Sequence, residues 1–127
     1  MSIDIKSLRI GSHILVNGKR ERVRGLDEDN GLIVRFPAEY VLASEVEPIA
    51  ITLELLKELG FEWIKITGSW CVSDKRGGHF YATDVSDSTC VVTHYPDFGF
   101  QSRVVCAYLH ELEAFAYLIA QTELIPD

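Results

Sequence analysis

Apolar and polar positions alternate in short runs over the first 48 residues, a pattern typical of strands rather than helices. Residues 14–16 are apolar and β-prone, and Asn17 and Gly18 follow directly. An Asn-Gly pair between apolar runs indicates a hairpin turn, because both turn positions need positive φ. A return strand over 19–25 and further short strands over 32–36 and 40–42 then predict a small curled barrel of the SH3-like kind.

The pattern changes at Pro48. Thr52 is a good N-cap for a helix over 53–59, and Gly60 suits the left-handed position that ends one. The segments that read as strands come next: 63–73 (one bent strand, or two with Gly68 at the bend), 79–84, 89–95 and 100–105. The last segment, roughly 106–123, has apolar residues at three- and four-residue steps and predicts an amphipathic helix, with Leu109, Leu112, Phe115, Ala116 and Ile119 on its core stripe.

These elements predict an α+β fold in two parts. Residues 1–48 form a small SH3-like β-barrel subdomain. Residues 49–127 form an α-β-β-β-(β)-α unit that packs against it, or the two parts make one composite domain. In the second part, the two helices cover an antiparallel sheet.

Three stretches of the chain resemble a known family. They are residues 9–19 (RIGSHILVNGK), 48–61 (PIAITLELLKELGF) and the segment that opens YLHELEAF at Tyr108. They resemble short, uncharacterised proteins from one bacterial phylum and its phages and prophages. Members open with an "RIGNYV…NGK" hairpin, continue with a "PIPLTEEWLLKFGF" helix and close with a "YVHQLQNLYFALTGEEL" helix.

The resemblance implies association with a phage or mobile element, and it brings no activity with it. This chain departs from the family on its last helix, where Glu111, Glu113 and Ala114 replace Gln and Asn residues. If that polar pattern is functional in the family, the departure implies a changed partner.

Composition narrows the functional classes. Apolar residues make up 47% of the 127, enough for a core, and no apolar run approaches the roughly 20 residues of a membrane-spanning helix. The first ten residues lack the apolar segment of a signal peptide, so we expect a cytoplasmic protein, or one associated with phage inside the host cell. In that compartment its three cysteines are reduced.

A row of arginines on the second predicted strand suggests one function. Arg20, Arg22 and Arg24 share a face on period-two alternation and could follow nucleic-acid phosphates. The alternative is an exposed face paired with nearby carboxylates. The net charge of −7 favours that alternative, since an acidic chain repels polyanions.

Aromatic residues crowd the second half of the chain. Most belong in a core, but Trp70, Tyr95 and Phe98 lie near predicted turns. An exposed cluster of them would mark a protein-binding patch.

Catalytic and metal chemistry have weaker signals. Cys71, His79, Cys90 and His94 are zinc-ligand types without the close pairs of a zinc site, so no metal or cofactor is expected. Cys106 and His110 are four residues apart at the predicted start of a helix, so they could share a face as in a small Cys/His enzyme, but the sequence shows no oxyanion-hole loop and no third orienting residue.

The sequence therefore favours a non-enzymatic protein-interaction or structural protein. We expect it to bind a protein partner, or a second copy of itself, through its sheet edges or terminal helix. We do not expect it to associate with a membrane. The alternatives are a nucleic-acid-binding module that uses the arginine row and, more distantly, the Cys/His enzyme.

Overall fold

The protein is a small α+β protein with two antiparallel sheets and two helices. The structure is a computed structural model. It describes residues 8–27, 32–35, 39–42, 45–86, 89–97, 99–122 and 124.

Two compact units make up the chain. The first contains Met1–Ile49 and Tyr108–Ala114, and the second contains Ala50–Ala107 and Phe115–Asp127. The last helix therefore contributes its first half to one unit and its second half to the other.

The first sheet belongs to the first unit and has the order β4-β3-β2-β1-β5. Its strands are β1 (His13–Val16), β2 (Lys19–Asp27), β3 (Leu32–Arg35), β4 (Glu39–Leu42) and β5 (Val46–Glu47). The predicted Asn17–Gly18 turn is confirmed, since φ is 52° at Asn17 and 77° at Gly18. The SH3-like barrel is not confirmed, because neither described sheet is closed and β5, with two residues, pairs only with β1.

Buried aliphatic side chains from several strands form the core of this unit. They are Leu8, Ile14, Val16, Val23, Val41 and Val46. The alternation of β2 is interrupted after Val23, because the pairing shifts from Val23 opposite Arg35 to Gly25 opposite Val34. Arg24 is the extra residue of this bulge.

Helix α1 (Leu53–Glu58) begins and ends as its sequence predicts. The Thr52 hydroxyl accepts a hydrogen bond from the Leu55 N–H at 3.1 Å. At the other end, Gly60 has a φ of 95°, and the Phe61 N–H donates to the Leu56 carbonyl at 2.9 Å. This Schellman motif satisfies carbonyls that the last turn leaves open.

The second sheet has the order β10-β9-β8-β7-β6. Its strands are β6 (Glu62–Ile64), β7 (Ser69–Ser73), β8 (His79–Thr83), β9 (Cys90–Tyr95) and β10 (Ser102–Cys106). The segment 63–73 thus forms two strands, with a turn that ends at Gly68, where φ is 65°.

Helix α2 (Leu109–Ala120) is shorter than the segment predicted for it. Cys106 pairs with Cys90 in the sheet, so the strand continues to that residue and the helix starts later. Leu109, Leu112 and Ala116 are buried as expected, whereas Ile119 is 39% exposed. In the described part of the chain, neither helix combines the length and apolar character needed to cross a membrane.

Candidate functional site

The second sheet has two different faces, which the strand register defines. Trp70 pairs with Ala82 and Ala82 with Val92, so these side chains share one face. Both helices contact this face. The Phe115 ring of α2 lies 6.1 Å from the Phe80 ring, and the Lys57 ammonium of α1 lies 5.7 Å from the Trp70 ring centre. We call it the helix face.

The opposite face carries a row of paired residues across four strands. Cys71 pairs with Tyr81, Tyr81 with Thr93, and Thr93 with Arg103. We call it the second face. Because side chains alternate along each strand, Tyr95 also lies on this face.

A cavity of about 490 Å³ lies on the second face. It is lined by Thr67, Ser69, Tyr81, Thr83, Thr93, Tyr95 and Arg103. All of these except Arg103 carry a hydroxyl group, and Arg103 is the only charged one. The cavity therefore offers several groups that both donate and accept hydrogen bonds, together with one cation.

Two tyrosines form a wall of this cavity. The Tyr81 and Tyr95 rings meet edge to face, at 5.3 Å between centres and an interplanar angle of 88°. Burial raises the pKa of the Tyr81 hydroxyl, and its hydrogen bond with Cys71 raises the pKa further. Burial likewise raises the pKa of the Cys71 thiol, although the bond to Tyr81 opposes the shift. Both groups keep their protons at neutral pH.

Arg103 and Thr93 have polar groups that are available to bind a ligand. Arg103 is exposed, and no described residue forms an ion pair with its guanidinium. Thr93 is only 6% exposed, and its hydroxyl has no hydrogen bond to another described residue. Since Thr93 lines the cavity, its hydroxyl is available there to a ligand or to water.

A second cavity, of about 300 Å³, contains an Asp–His pair. The His94 Nε2 lies 2.6 Å from an Asp74 carboxylate oxygen, and both side chains are almost fully buried. Burial raises the pKa of Asp74, but hydrogen bonds from His94 and from the backbone N–H groups of Arg76 and Gly78 outweigh it and lower the pKa overall.

The loop that holds Asp74 depends on Gly78. A Cβ atom at Gly78 would lie 2.5 Å from an Asp74 carboxylate oxygen and 2.7 Å from the Tyr95 carbonyl oxygen. The lack of a side chain thus permits the hairpin loop to approach the end of β9. Since hydrogen bonds from the loop itself hold the carboxylate, the pair has a clear role in fixing this loop.

The first unit contains a buried acid–histidine pair of its own. The Glu113 carboxylate accepts a hydrogen bond from the His13 backbone N–H at 2.8 Å and lies 2.6 Å from His13 Nδ1. Glu113 is 1% exposed and His13 is 7% exposed. The pair joins the start of β1 to the first half of α2, which sequence reasoning missed because it placed Glu113 off the core stripe.

The predicted arginine row is only partly regular. Arg20 pairs with Leu15 and Arg22 with His13, so these two arginines share a face. Arg24 is the bulge residue, so the strand alternation does not place it with them. None of the three arginines is without an interaction partner.

The predicted aromatic residues do not form one patch. Trp70 lies on the helix face, where its ring centre is 5.5 Å from that of Trp63, whereas Tyr95 lies on the second face. Phe98 lies outside the described residues.

The predicted Cys106/His110 geometry is wrong, because Cys106 belongs to β10 and the helix begins after it. The two residues therefore do not occupy the i and i+4 positions of one helix. Burial lowers the pKa of His110, whose ring stacks on Tyr108 at 5.9 Å.

No group of three or more metal-ligating side chains in the described part of the chain is arranged to hold a metal ion. Of the four zinc-ligand types, Cys71 and His79 lie on the second face and Cys90 and His94 on the helix face. In comparisons with known proteins, no family model, curated protein or solved structure matches this chain.

Proposed function

We propose that this chain is a non-enzymatic protein-interaction module that binds an extended segment of a partner protein along the outer edge of β10. The observation that carries the proposal is the position of β10, which ends the second sheet with no described strand on its outer side. An edge strand presents unpaired N–H and C=O groups, and an added strand can pair with them.

β10 is the most regular edge of the second sheet. Its five residues pair with β9 without a break, from Ser102 opposite His94 to Cys106 opposite Cys90. It contains no proline and no bulge, two of the features that commonly protect edge strands, and its one charged residue is Arg103. The opposite edge, β6, has only three residues and begins with Glu62.

Exposed apolar side chains support binding at this edge. Val105 is 61% exposed, and Phe100, two residues before the strand begins, is 95% exposed. A strand that pairs with β10 would cover Val105, and burial of this apolar area would add to the main-chain hydrogen bonds. The partner segment should therefore be extended and should carry an apolar residue opposite Val105.

The resemblance to phage and prophage proteins supports a more specific proposal for the partner. We infer that it is a protein of the same phage or mobile element.

Two lysine substitutions, one at an exposed valine and one at an exposed leucine, test the proposal. Val105→Lys puts a charge on the β10 edge, while Leu118→Lys makes a matched change on α2, where Leu118 is 77% exposed. Affinity capture from an extract of the encoding organism, with a photo-crosslinking residue at position 100, should yield a crosslinked partner with wild type and with Leu118→Lys. Val105→Lys should lose it.

Equal crosslinking by wild type and Val105→Lys would contradict the proposal. Loss of the partner in Leu118→Lys alone would assign binding to the terminal helix instead. Circular dichroism and thermal unfolding should be unchanged in both variants, because each substitution is at an exposed position.

A further inference from the structure

We propose that the 490 Å³ cavity on the second face binds a small hydroxylated molecule that carries one phosphate or carboxylate group. This inference does not depend on the proposed partner, since it uses side chains of the second face rather than the main-chain edge of β10. The volume of the cavity lies within the range of roughly 300–1,000 Å³ that is usual for small-molecule sites.

The charges in the cavity select an anion. Among the described residues that line the cavity, Arg103 is the only charged one and none is acidic. In a chain with a net charge of −7, a guanidinium without an ion pair to any described residue is a position where an anionic ligand can bind. The planar fork of a guanidinium donates two parallel hydrogen bonds to a carboxylate or phosphate.

The hydroxyl groups select the remainder of the ligand. Thr93, a largely buried residue whose hydroxyl has no hydrogen bond to another described residue, lies opposite Arg103 in the strand register. Ser69 and Thr67 lie 2.7 Å apart through their hydroxyl oxygens at another part of the lining. Hydroxyl groups both donate and accept hydrogen bonds. They therefore match the hydroxyl groups of a sugar-like ligand better than they match the apolar surface of a ligand.

The tyrosine wall completes the recognition. Tyr95 is 45% exposed and is held edge to face against Tyr81, so its orientation is fixed before a ligand arrives. A ring of this kind covers the carbon skeleton of a ligand while its own hydroxyl remains available. Preorganisation reduces the entropy lost on binding.

Titration followed by ¹H–¹⁵N NMR tests the site with three related probes. Glucose 6-phosphate and glucuronate supply the phosphate and carboxylate forms, and glucose is the neutral control. We expect at least one of the two anions to shift amide signals at Thr93, Tyr95 and Arg103, with glucose at least about tenfold weaker. The stronger of the two anions identifies the acidic group that the site prefers.

Two variants separate binding from folding. Arg103→Gln should weaken the anion at least about tenfold, whereas Arg76→Gln, which changes an arginine of the other cavity, should leave the affinity unchanged. Thr93→Val should weaken binding without lowering thermal stability, because the hydroxyl that it removes has no described partner. A purely structural threonine would give the reverse result.

Absence of shifts at these residues with both anions at about 10 mM, well above a millimolar dissociation constant, would overturn the proposal. Equal affinity for glucose and for the better anion would overturn it as well. So would equal binding by wild type and Arg103→Gln.

Discussion

Replacement of Glu113 by alanine should destabilise the protein by about 3–5 kcal/mol, the usual cost of removing one partner from a buried acid–base pair. The side chain is 1% exposed and holds both the backbone N–H and the ring of His13. Its removal leaves two buried polar groups without their acceptor, and each loses the water that it would have in the unfolded chain. Glu113→Gln should cost less, about 1–2 kcal/mol, because its amide oxygen can still accept from the His13 backbone N–H, although an NH2 group replaces the oxygen beside His13 Nδ1.

Chemical denaturation followed by tryptophan fluorescence and circular dichroism measures both changes. A double-mutant cycle with His13→Ala then isolates the ring contact, for which we expect a coupling of about 1–3 kcal/mol. An alanine variant within about 0.5 kcal/mol of wild type would refute the reasoning, since only exposed positions tolerate such a change. Equal losses for the alanine and glutamine variants would refute the assignment of the cost to the lost hydrogen bonds.

Further changes test the cores, the Asp74 loop and the arginines. Leu112→Ala should cost about 2–5 kcal/mol in denaturant unfolding, because Leu112 is fully buried. The pKa of Asp74 is lowered in the folded protein, so its ionised form stabilises the fold above the unfolded value of 3.8, and this contribution is lost as the pH falls through the lower folded pKa. The stability difference between wild type and Asp74→Asn, measured by thermal unfolding, should therefore be largest near neutral pH and shrink below pH 3.8. Arg20→Ala and Arg22→Ala should each change stability by no more than about 1 kcal/mol. Binding of a fluorescent oligonucleotide by wild type should stay undetectable at about 0.15 M salt, and micromolar binding lost in these variants would favour the nucleic-acid alternative.

Local chemistry made parts of the fold predictable from sequence. The Asn17–Gly18 turn needs positive φ at both positions, and few other residue pairs supply it. Thr52 and Gly60 bound α1 because a hydroxyl caps the first turn and a residue without Cβ ends the last one. Each signal depends on neighbours in the chain, so no tertiary contact had to be known.

Long-range pairing limited the prediction elsewhere. His13 and Glu113 are 100 residues apart, and nothing in the helix pattern shows that a carboxylate in α2 is buried by a strand from the start of the chain. The expected barrel depended on whether the first and last strands of the sheet pair with each other. The local sequence of short strands does not determine such a pairing.

The candidate cavity was missed for a related reason. Period-two alternation places Thr93 with Tyr95, but only the register of β8, β9 and β10 brings Tyr81 and Arg103 beside Thr93. Arg103 is a single charge in an apolar strand, and the sequence does not say which face it occupies. Tyr95, which the sequence placed near a turn, is 45% exposed, and its ring contacts Tyr81.

Hydrogen exchange of the β10 amides in the free protein and in the captured complex tests the proposed function most directly. If an extended partner segment pairs with the outer edge, the amides of Ser102–Cys106 that point away from β9 should exchange more slowly in the complex. Unchanged exchange along β10, with new protection confined to the exposed residues of α2, would contradict the proposal.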